Sequence, residues 1–364
     1  MSSLQKQIEF LYNEIQKEAN THLNEQLFLK MQKLTFHKGG FTDPSSRLSF
    51  WSSLLSNPSQ PSSQTLPTTG EPDTETIAKD IPRTNSQLLF NSDASSPQNI
   101  LPSMDKETLH DIYNPTKTNY HYYQGCLDLL CYFLYAMRAD QQALSVDLYK
   151  KFSEIYLKDY LNFKRIKQTD KTEINPFSTI TLMLGSFIQT MDNDVYSILQ
   201  ENNLETCGFA VSWLVTLFSH SITVKEVEFW ILDFIICNEP YMIYIISSLI
   251  IIDKVRCALK EGDIDNIQQI MFTINLNKVD FEKVLRDAYF YKRDNMDEIS
   301  KILNKYYNDK YCVLPTLTDI KRKRSYNNIQ EGNVNEYKGK IIKIGIVSVG
   351  ILILAIGINK IFNK

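Results

Sequence analysis

The sequence predicts an all-α fold, namely a helical domain followed by one C-terminal transmembrane helix. Beyond Tyr120, apolar residues recur at helical spacing almost without interruption, as in Leu127, Leu130, Cys131 and Leu134. No run of alternating apolar and polar residues indicates strands, and no repeat of fixed period indicates a solenoid. With 43% apolar and 12% aromatic residues, the chain of 364 residues has the material for a sizeable core.

The helical pattern is clearest in three segments, residues 209–218, 227–236 and 264–288. A further apolar run covers residues 241–252 and has charged residues close to both ends. A run of this length is too short to span a bilayer. We therefore predict a buried helix over residues 241–252.

Residues 341–358 are apolar or small except for Lys343 and predict a membrane-spanning helix. At ~1.5 Å per residue the segment reaches roughly 27 Å, close to the ~30 Å thickness of a typical hydrocarbon core. Lys343 on one side and Lys360 on the other can place their ammonium groups at the two interfaces. Because basic residues are concentrated before the segment, the positive-inside rule keeps the preceding domain in the cytosol. A buried core helix is the alternative.

Charge and cysteine usage argue against several classes of function. The 39 Lys and Arg residues against 42 Asp and Glu give a net charge of −3, so no nucleic-acid partner is expected. The six cysteines include no C-x-x-C pair and the five histidines lie far apart, which predicts neither a zinc site nor a disulfide framework. The motifs G-x-x-x-x-G-K-[ST], G-x-G-x-x-G, H-E-x-x-H and G-x-S-x-G are all missing. The first 30 residues also lack the continuous apolar run of a secretory signal peptide.

Short motifs occur instead in a particular order. They are Arg47 with Trp51; the I-x-x-D-x-x-R motif of Ile77, Asp80 and Arg83; the Y-x-Q motif of Tyr122 and Gln124, followed by Gly125; and, later, Trp213 and Asp233. Each is weak alone, since an arginine beside a carboxylate is usually a solvated surface pair and Gln124 can simply begin a helix. In this order they resemble the TBC domain of Rab GTPase-activating proteins over residues 24–294. Residues 121–125, Asp128, residues 211–220 and the membrane span resemble, more narrowly, the membrane-anchored TBC proteins of the endoplasmic reticulum.

The resemblance implies an activator of a GTPase rather than an enzyme in its own right. Family members supply an arginine finger and a glutamine finger in trans to a Rab, and the matching residues here are Arg83 and Gln124. A guanidinium stabilises the charge that develops on the transferring phosphoryl group, and an amide orients the attacking water. GTP and Mg²⁺ belong to the Rab, so no cofactor or metal of the chain's own is expected.

The remaining motif residues form two sets. One set supports the fingers: Ile77, Asp80, Tyr122 and Gly125. The other set is structural: Arg47, Trp51, Trp213 and Asp233. We expect Asp80 to hold the finger arginine in place and Arg47 to be a structural residue, with a buried carboxylate as one possible partner.

These expectations divide the chain into an N-terminal helical extension (1–23), a TBC domain (24–294) with polar loops at 56–76 and 91–105, a helix end with a basic linker (295–340), and a transmembrane tail anchor (341–362). The expected partners are a Rab of the early secretory pathway and the endoplasmic reticulum membrane, with the TBC domain in the cytosol. A second reading, a catalytically inactive TBC-fold scaffold that binds a Rab at the membrane, stays open because Asn85 beside the arginine loop departs from the family pattern and the polar loop 56–76 is long. Neither the particular Rab nor the oligomeric state follows from the sequence.

Overall fold

The computed structural model describes residues 25–41, 44–55, 74–80, 84, 122–136, 142–157 and 176–307. Within these ranges the regular structure is helical and includes no strand, which confirms the all-α prediction for this part of the chain. Several predicted features lie outside the described residues: Arg83, the extension 1–23, the loop 56–76 up to residue 73, the loop 91–105, the linker beyond residue 307 and the transmembrane segment 341–362.

The helices of the described chain are numbered in order. Before residue 160 they are α1 (Glu25–Leu34), α2 (Pro44–Leu55), α3 (Thr74–Asp80), α4 (Cys126–Tyr135) and α5 (Gln142–Phe152), which continues as a π-helical turn, Ser153–Leu157. After residue 175 they are α6 (Pro176–Met191), α7 (Asn193–Glu201), α8 (Val211–Val215), α9 (Lys225–Ile236), α10 (Met242–Glu261), α11 (Ile267–Phe272), α12 (Phe281–Asp294) and α13 (Met296–Tyr307). Short 3-10 turns, Gly208–Ala210, Ile264–Asn266 and Leu276–Lys278, lie between the later helices.

Helix α10 is a central core element of the C-terminal half. Its side chains between Met242 and Ile251 are buried at nearly every position, and it packs against α6 and α12. The buried helix predicted over residues 241–252 is therefore confirmed. The helix continues to Glu261 and ends where Gly262 takes a left-handed φ of 73°. In the part of the chain that the structure describes, no helix has the length and hydropathy needed to cross a membrane.

The helix predicted over residues 209–218 is shorter than expected. Its α-helical part is α8, which ends at Val215. Leu217 and Phe218 have φ values of 48° and 73°, in the left-handed region. Because a right-handed helix cannot continue through such residues, the chain turns here although its apolar pattern persists.

The helix predicted over residues 264–288 is broken into two. Helix α11 ends at Phe272, and α12 begins only after Asp280. The Asp280 side chain accepts a hydrogen bond from the backbone N–H of Lys283 at 3.2 Å and so caps a new helix. The helical spacing of apolar residues therefore resumes in a separate helix, α12, and does not extend α11.

Helix α3 begins inside the predicted loop 56–76, so the last three residues of that loop are helical. Glu75 lies in the first turn, where a carboxylate interacts favourably with the helix dipole. One turn later, Lys79 pairs with Glu75 at 2.6 Å. These local interactions favour a helix next to a proline-rich stretch.

Helices α2, α4 and α9 meet in an aromatic core. The ring of Trp51 in α2 lies 4.8 Å from that of Phe133 in α4 and 6.2 Å from that of Phe229 in α9. Tyr132 of α4 contacts the same Phe229 edge-on at 5.1 Å. All four side chains are buried. This packing holds α4 in place, and the Y-x-Q motif lies directly before the start of that helix.

Candidate functional site

The Y-x-Q motif and Gly125 form the turn that precedes α4, in which Gln124 is exposed. Gly125 occupies the N-cap position with a φ of 102°, a conformation that glycine takes at little cost. A Cβ atom on Gly125 would lie 2.7 Å from Cγ2 of Thr216. Both the backbone conformation and the close approach of Thr216 therefore require glycine here. The turn presents a primary amide at the surface, which can donate and accept hydrogen bonds at once.

The Y-x-Q motif is joined to the I-x-x-D-x-x-R motif by a hydrogen bond. The Tyr122 hydroxyl donates to Oδ2 of Asp80 at 2.7 Å, across 42 residues of sequence. Desolvation is the main cause that raises the pKa of Tyr122, so its hydroxyl stays protonated as a donor. Ile77, one turn earlier on α3, is 4% exposed and anchors that helix in the core.

Arg83 lies outside the described residues, but the structure describes residues on both sides of it. Thr84 donates its backbone N–H to the Asp80 carbonyl at 2.8 Å and its hydroxyl to the same oxygen at 3.0 Å. Asp80 and Thr84 are both buried. Asp80 and Thr84, which lie on either side of Arg83 in sequence, are thus hydrogen-bonded to each other beside Tyr122.

The turn of Gln124 also contacts the chain around α8. The Tyr123 hydroxyl donates to the Val215 carbonyl at 2.7 Å in a buried hydrogen bond. Trp213, in the same helix, is 5% exposed and packs edge-on against Phe209 with ring centroids 6.1 Å apart. The structure therefore places Trp213 in the packing around α8, the helix whose Val215 carbonyl accepts from Tyr123.

A histidine–aspartate pair lies beside the turn. Nδ1 of His220 is 2.9 Å from Oδ2 of Asp128, which belongs to the first turn of α4. The Asp128 side chain is 4% exposed and that of His220 is 59% exposed, so the pair spans the edge of the core. The hydrogen bond to Asp128 raises the pKa of His220, and burial opposes the rise.

Asp233 is the centre of a separate, buried cluster. Its carboxylate accepts hydrogen bonds from Nε of Arg47 at 3.0 Å, from Nε1 of Trp51 at 2.8 Å and from the Phe41 backbone N–H at 2.8 Å. A Cβ atom on Gly40 would lie 2.6 Å from Oδ2 of Asp233, so the chain before α2 passes directly over the carboxylate. The cluster joins this segment and α2 to α9.

The ionisation of Asp233 follows from this environment. Complete burial raises the pKa of the Asp233 carboxyl to about 6, and the Arg47 guanidinium opposes the rise. The guanidinium also lies over the ring of Phe229 at 4.7 Å. At neutral pH the carboxylate is therefore ionised and paired with Arg47. Asp233 is fully buried and Arg47 is only 7% exposed, so the pair lies inside the core between α2 and α9.

The structure thus gathers the predicted residues into two groups. Asp80, Tyr122, Gln124 and Gly125 lie around one turn, whereas Arg47, Trp51 and Asp233 lie in the buried cluster. Sequence reasoning missed the contacts of Thr216 and His220 with the Gln124 turn. Asp128 and residues 211–220 were noted only as part of the resemblance, and nothing in the sequence pairs His220 with Asp128, because the two are 92 positions apart. Among the described residues, no group of three or more His, Cys, Asp or Glu side chains is arranged to hold a metal ion.

One family model matches the chain, and its description is Rab-GTPase-TBC domain. The match covers residues 44–258, which is more than half of the sequence and includes both groups of motif residues. No curated protein matches the chain. The chain therefore belongs to the Rab-GTPase-TBC domain family, the family of Rab GTPase-activating proteins whose partners are Rab GTPases.

Proposed function

We propose that the protein activates GTP hydrolysis by a Rab of the early secretory pathway, with Arg83 and Gln124 donated in trans as catalytic residues. The observation that supports this proposal most is the 2.7 Å hydrogen bond between Tyr122 and Asp80. It connects the segment that leads into Gln124 with the helix that leads into Arg83. Two fingers that act on one phosphoryl group need to emerge from the same surface.

The chemistry matches what a GTPase lacks. A Rab supplies GTP, Mg²⁺ and the phosphate cradle, but charge develops on the transferring phosphoryl oxygens and the attacking water needs orientation. The Arg83 guanidinium stabilises that charge, and the Gln124 amide accepts from the water while it donates to a phosphoryl oxygen. In the described structure, Gln124 is exposed between buried Tyr123 and half-buried Gly125, which suits a group that is presented to a partner.

The test measures GTP hydrolysis by a panel of purified Rabs with the full-length chain and its Arg83→Ala and Gln124→Ala variants. We expect wild type to stimulate one or a few Rabs, and each variant to lose at least ~100-fold of that stimulation. Gln189→Ala, an exposed glutamine on α6, is the matched control and is expected to keep full activity.

Two outcomes would change the proposal. Near-normal stimulation by Arg83→Ala or Gln124→Ala rejects the finger role of that residue. Rab binding without faster hydrolysis anywhere in the panel favours the second reading, an inactive TBC-fold scaffold that holds a Rab at the membrane.

The membrane part of the proposal is that residues 341–362 anchor the protein in the endoplasmic reticulum with the TBC domain in the cytosol. It is supported by the single charge, Lys343, within residues 341–358 and by the basic residues that precede them. Deletion of residues 341–364 is expected to release the chain from membranes in a flotation assay while stimulation of a soluble Rab is largely kept. A truncated chain that still floats with membranes contradicts the anchor, and a full-length chain located on another organelle contradicts the endoplasmic reticulum.

A further inference from the structure

We infer that His220 is a positioning residue for Gln124 and acts through Asp128 in the first turn of α4. The inference rests on the proposed function and extends it to a residue outside both finger motifs. His220 follows α8 in sequence and has no place in the proposed chemistry. Its contacts place it directly beside the turn that presents Gln124.

The chain from residue 215 to residue 220 touches the Gln124 turn and the start of α4 at three successive points. The first contact is the buried hydrogen bond between Tyr123 and Val215. The second is the close approach of the Gly125 backbone to the Thr216 methyl group. The third is the pair of Asp128 and His220. The turn is therefore supported from one side by one short segment of chain.

Asp128 connects this support to the finger itself. Its backbone N–H donates to the Gly125 carbonyl at 3.1 Å, which closes the turn directly after Gln124. Its carboxylate is paired with Nδ1 of His220 at 2.9 Å. A hydrogen bond to this carboxylate restrains the turn of backbone from which Gln124 projects, so it restrains the position of the amide.

The backbone before His220 is unusual in a way that fits this role. Leu217 and Phe218 are both left-handed, which is unfavourable for residues that carry a Cβ atom. Two hydrogen bonds to Thr216 compensate: its hydroxyl oxygen accepts from the His220 N–H at 3.3 Å, and its carbonyl accepts from the Ser219 hydroxyl at 2.7 Å. The left-handed pair turns the chain so that His220 reaches α4.

The charges around His220 and Asp128 allow protonation of His220 to change the strength of the hydrogen bond between them. Asp128 is the charged group that faces His220, and Glu228 of α9, Cys131 and Tyr132 lie around Asp128 in turn. Burial raises the pKa of each of these three neighbours and so favours their neutral forms. A protonated imidazole therefore forms a charge-assisted hydrogen bond to Asp128, and a neutral one forms a weaker bond.

The test uses the full-length chain and a Rab that wild type stimulates, with kcat and KM measured from pH 6 to 8.5 relative to the Rab alone. We expect His220→Leu to lower kcat about tenfold at pH 7 and to leave KM within about twofold, because Gln124 is displaced while docking is kept. In wild type, kcat should fall about threefold as pH rises through the His220 pKa, because the hydrogen bond loses its charge.

Rescue by the conservative variant separates positioning from general stability. In His220→Asn, the amide nitrogen takes the place of Nδ1 and donates without titrating. This variant should regain most of kcat and show a flat pH profile. Asp128→Asn, which keeps an acceptor but loses the charge, is a second variant in case His220→Leu fails to fold, and it should also flatten the profile.

Failure of the inference and failure of the proposed function give different results. If wild type stimulates a Rab and His220→Leu retains its kcat, or His220→Asn still loses activity with pH as wild type does, the positioning role is overturned alone. A higher KM with unchanged kcat in His220→Leu also overturns it, because that result indicates direct contact with the Rab. If wild type stimulates no Rab, the proposed function is overturned and this inference falls with it.

Discussion

Asp233 and Gln124 are both motif residues, yet their surroundings are opposite. Asp233 is fully buried and accepts hydrogen bonds from two side chains of α2 and from the backbone before that helix. Gln124 is exposed at a turn whose neighbours Tyr122 and Tyr123 carry the hydrogen bonds to the rest of the protein. A buried charge is stable only when it is paired, whereas a group that acts on a partner needs rigid support around it and an open face. In the proposed function, one set of sequence motifs therefore serves two different physical requirements.

The largest effect is expected on the buried side of this comparison. Asp233→Ala leaves the Arg47 guanidinium, the Trp51 indole N–H and a backbone N–H buried without their acceptor. We expect the free energy of unfolding to fall by about 3–5 kcal/mol, measured by denaturant titration of the full-length chain. The control is Lys301→Ala, which removes an exposed ion pair with Glu298 and is expected to have a much smaller effect. Equal losses in the two variants would mean that burial does not distinguish these pairs.

The second prediction concerns the exposed side. Gln124→Ala removes a side chain that makes no hydrogen bond in the described part of the structure, so we expect a change in unfolding free energy below about 0.5 kcal/mol. The same variant should lose roughly 100-fold of Rab stimulation, as measured by GTP hydrolysis. A variant that is strongly destabilised would show that Gln124 belongs to the fold rather than to the presented surface.

The third prediction tests the support of the turn. Gly125→Ala forces a Cβ into a left-handed position and against Cγ2 of Thr216, so we expect a loss of about 2 kcal/mol in unfolding free energy. Thr216→Ser removes that methyl group and keeps the hydroxyl. The double variant should therefore recover part of the loss, and Thr216→Ser alone is the matched control. No recovery in the double variant would assign the whole effect to the backbone conformation.

A smaller effect than that of Gly125→Ala is expected at Glu228, which shares α9 with Asp233 and faces Asp128 of the Gln124 region. Both carboxyl oxygens of Glu228 are buried without a hydrogen-bond partner in the described structure. Glu228→Met should raise the unfolding free energy by about 1 kcal/mol at neutral pH, because it removes this unpaired group.

The pH dependence of this gain has a definite sign. Burial raises the pKa of Glu228 above its ordinary value of 4.5, so the folded state keeps a proton that the unfolded chain releases. The stability that this group contributes is present at acidic pH and is lost as pH rises through the raised pKa. Unfolding measured at pH 5 and pH 8 should therefore show a larger gain from Glu228→Met at pH 8. A gain that is the same at both values would contradict the raised pKa.

The helical class was predictable because helical spacing of apolar residues is local information. The buried helix α10 is the clearest example, since a short apolar run between charged ends already predicted it. The positions at which helices end were less predictable. Leu217 and Phe218 are residue types that disfavour left-handed backbone, so nothing in their identity announces the end of α8.

In the candidate site, the sequence predicted the finger residues but not the contacts around them. The order of the motifs pointed to Gln124 and Arg83 as finger residues, and these assignments stay predictions until a Rab assay tests them. The supporting contacts were not predictable. Thr216 and His220 lie in residues 211–220, which were part of the resemblance, but the sequence does not show what these two side chains touch after folding.

By itself, the sequence determined that the domain is helical, and its order of motifs predicted a family that the family model independently matches. The tertiary structure alone decided which residues pair: Tyr122 with Asp80, His220 with Asp128, and Arg47 with Asp233. These partners are separated by 42, 92 and 186 positions. Helical spacing is set by neighbours within one or two turns, whereas a hydrogen bond between distant residues depends on how complete helices pack, which no local pattern encodes.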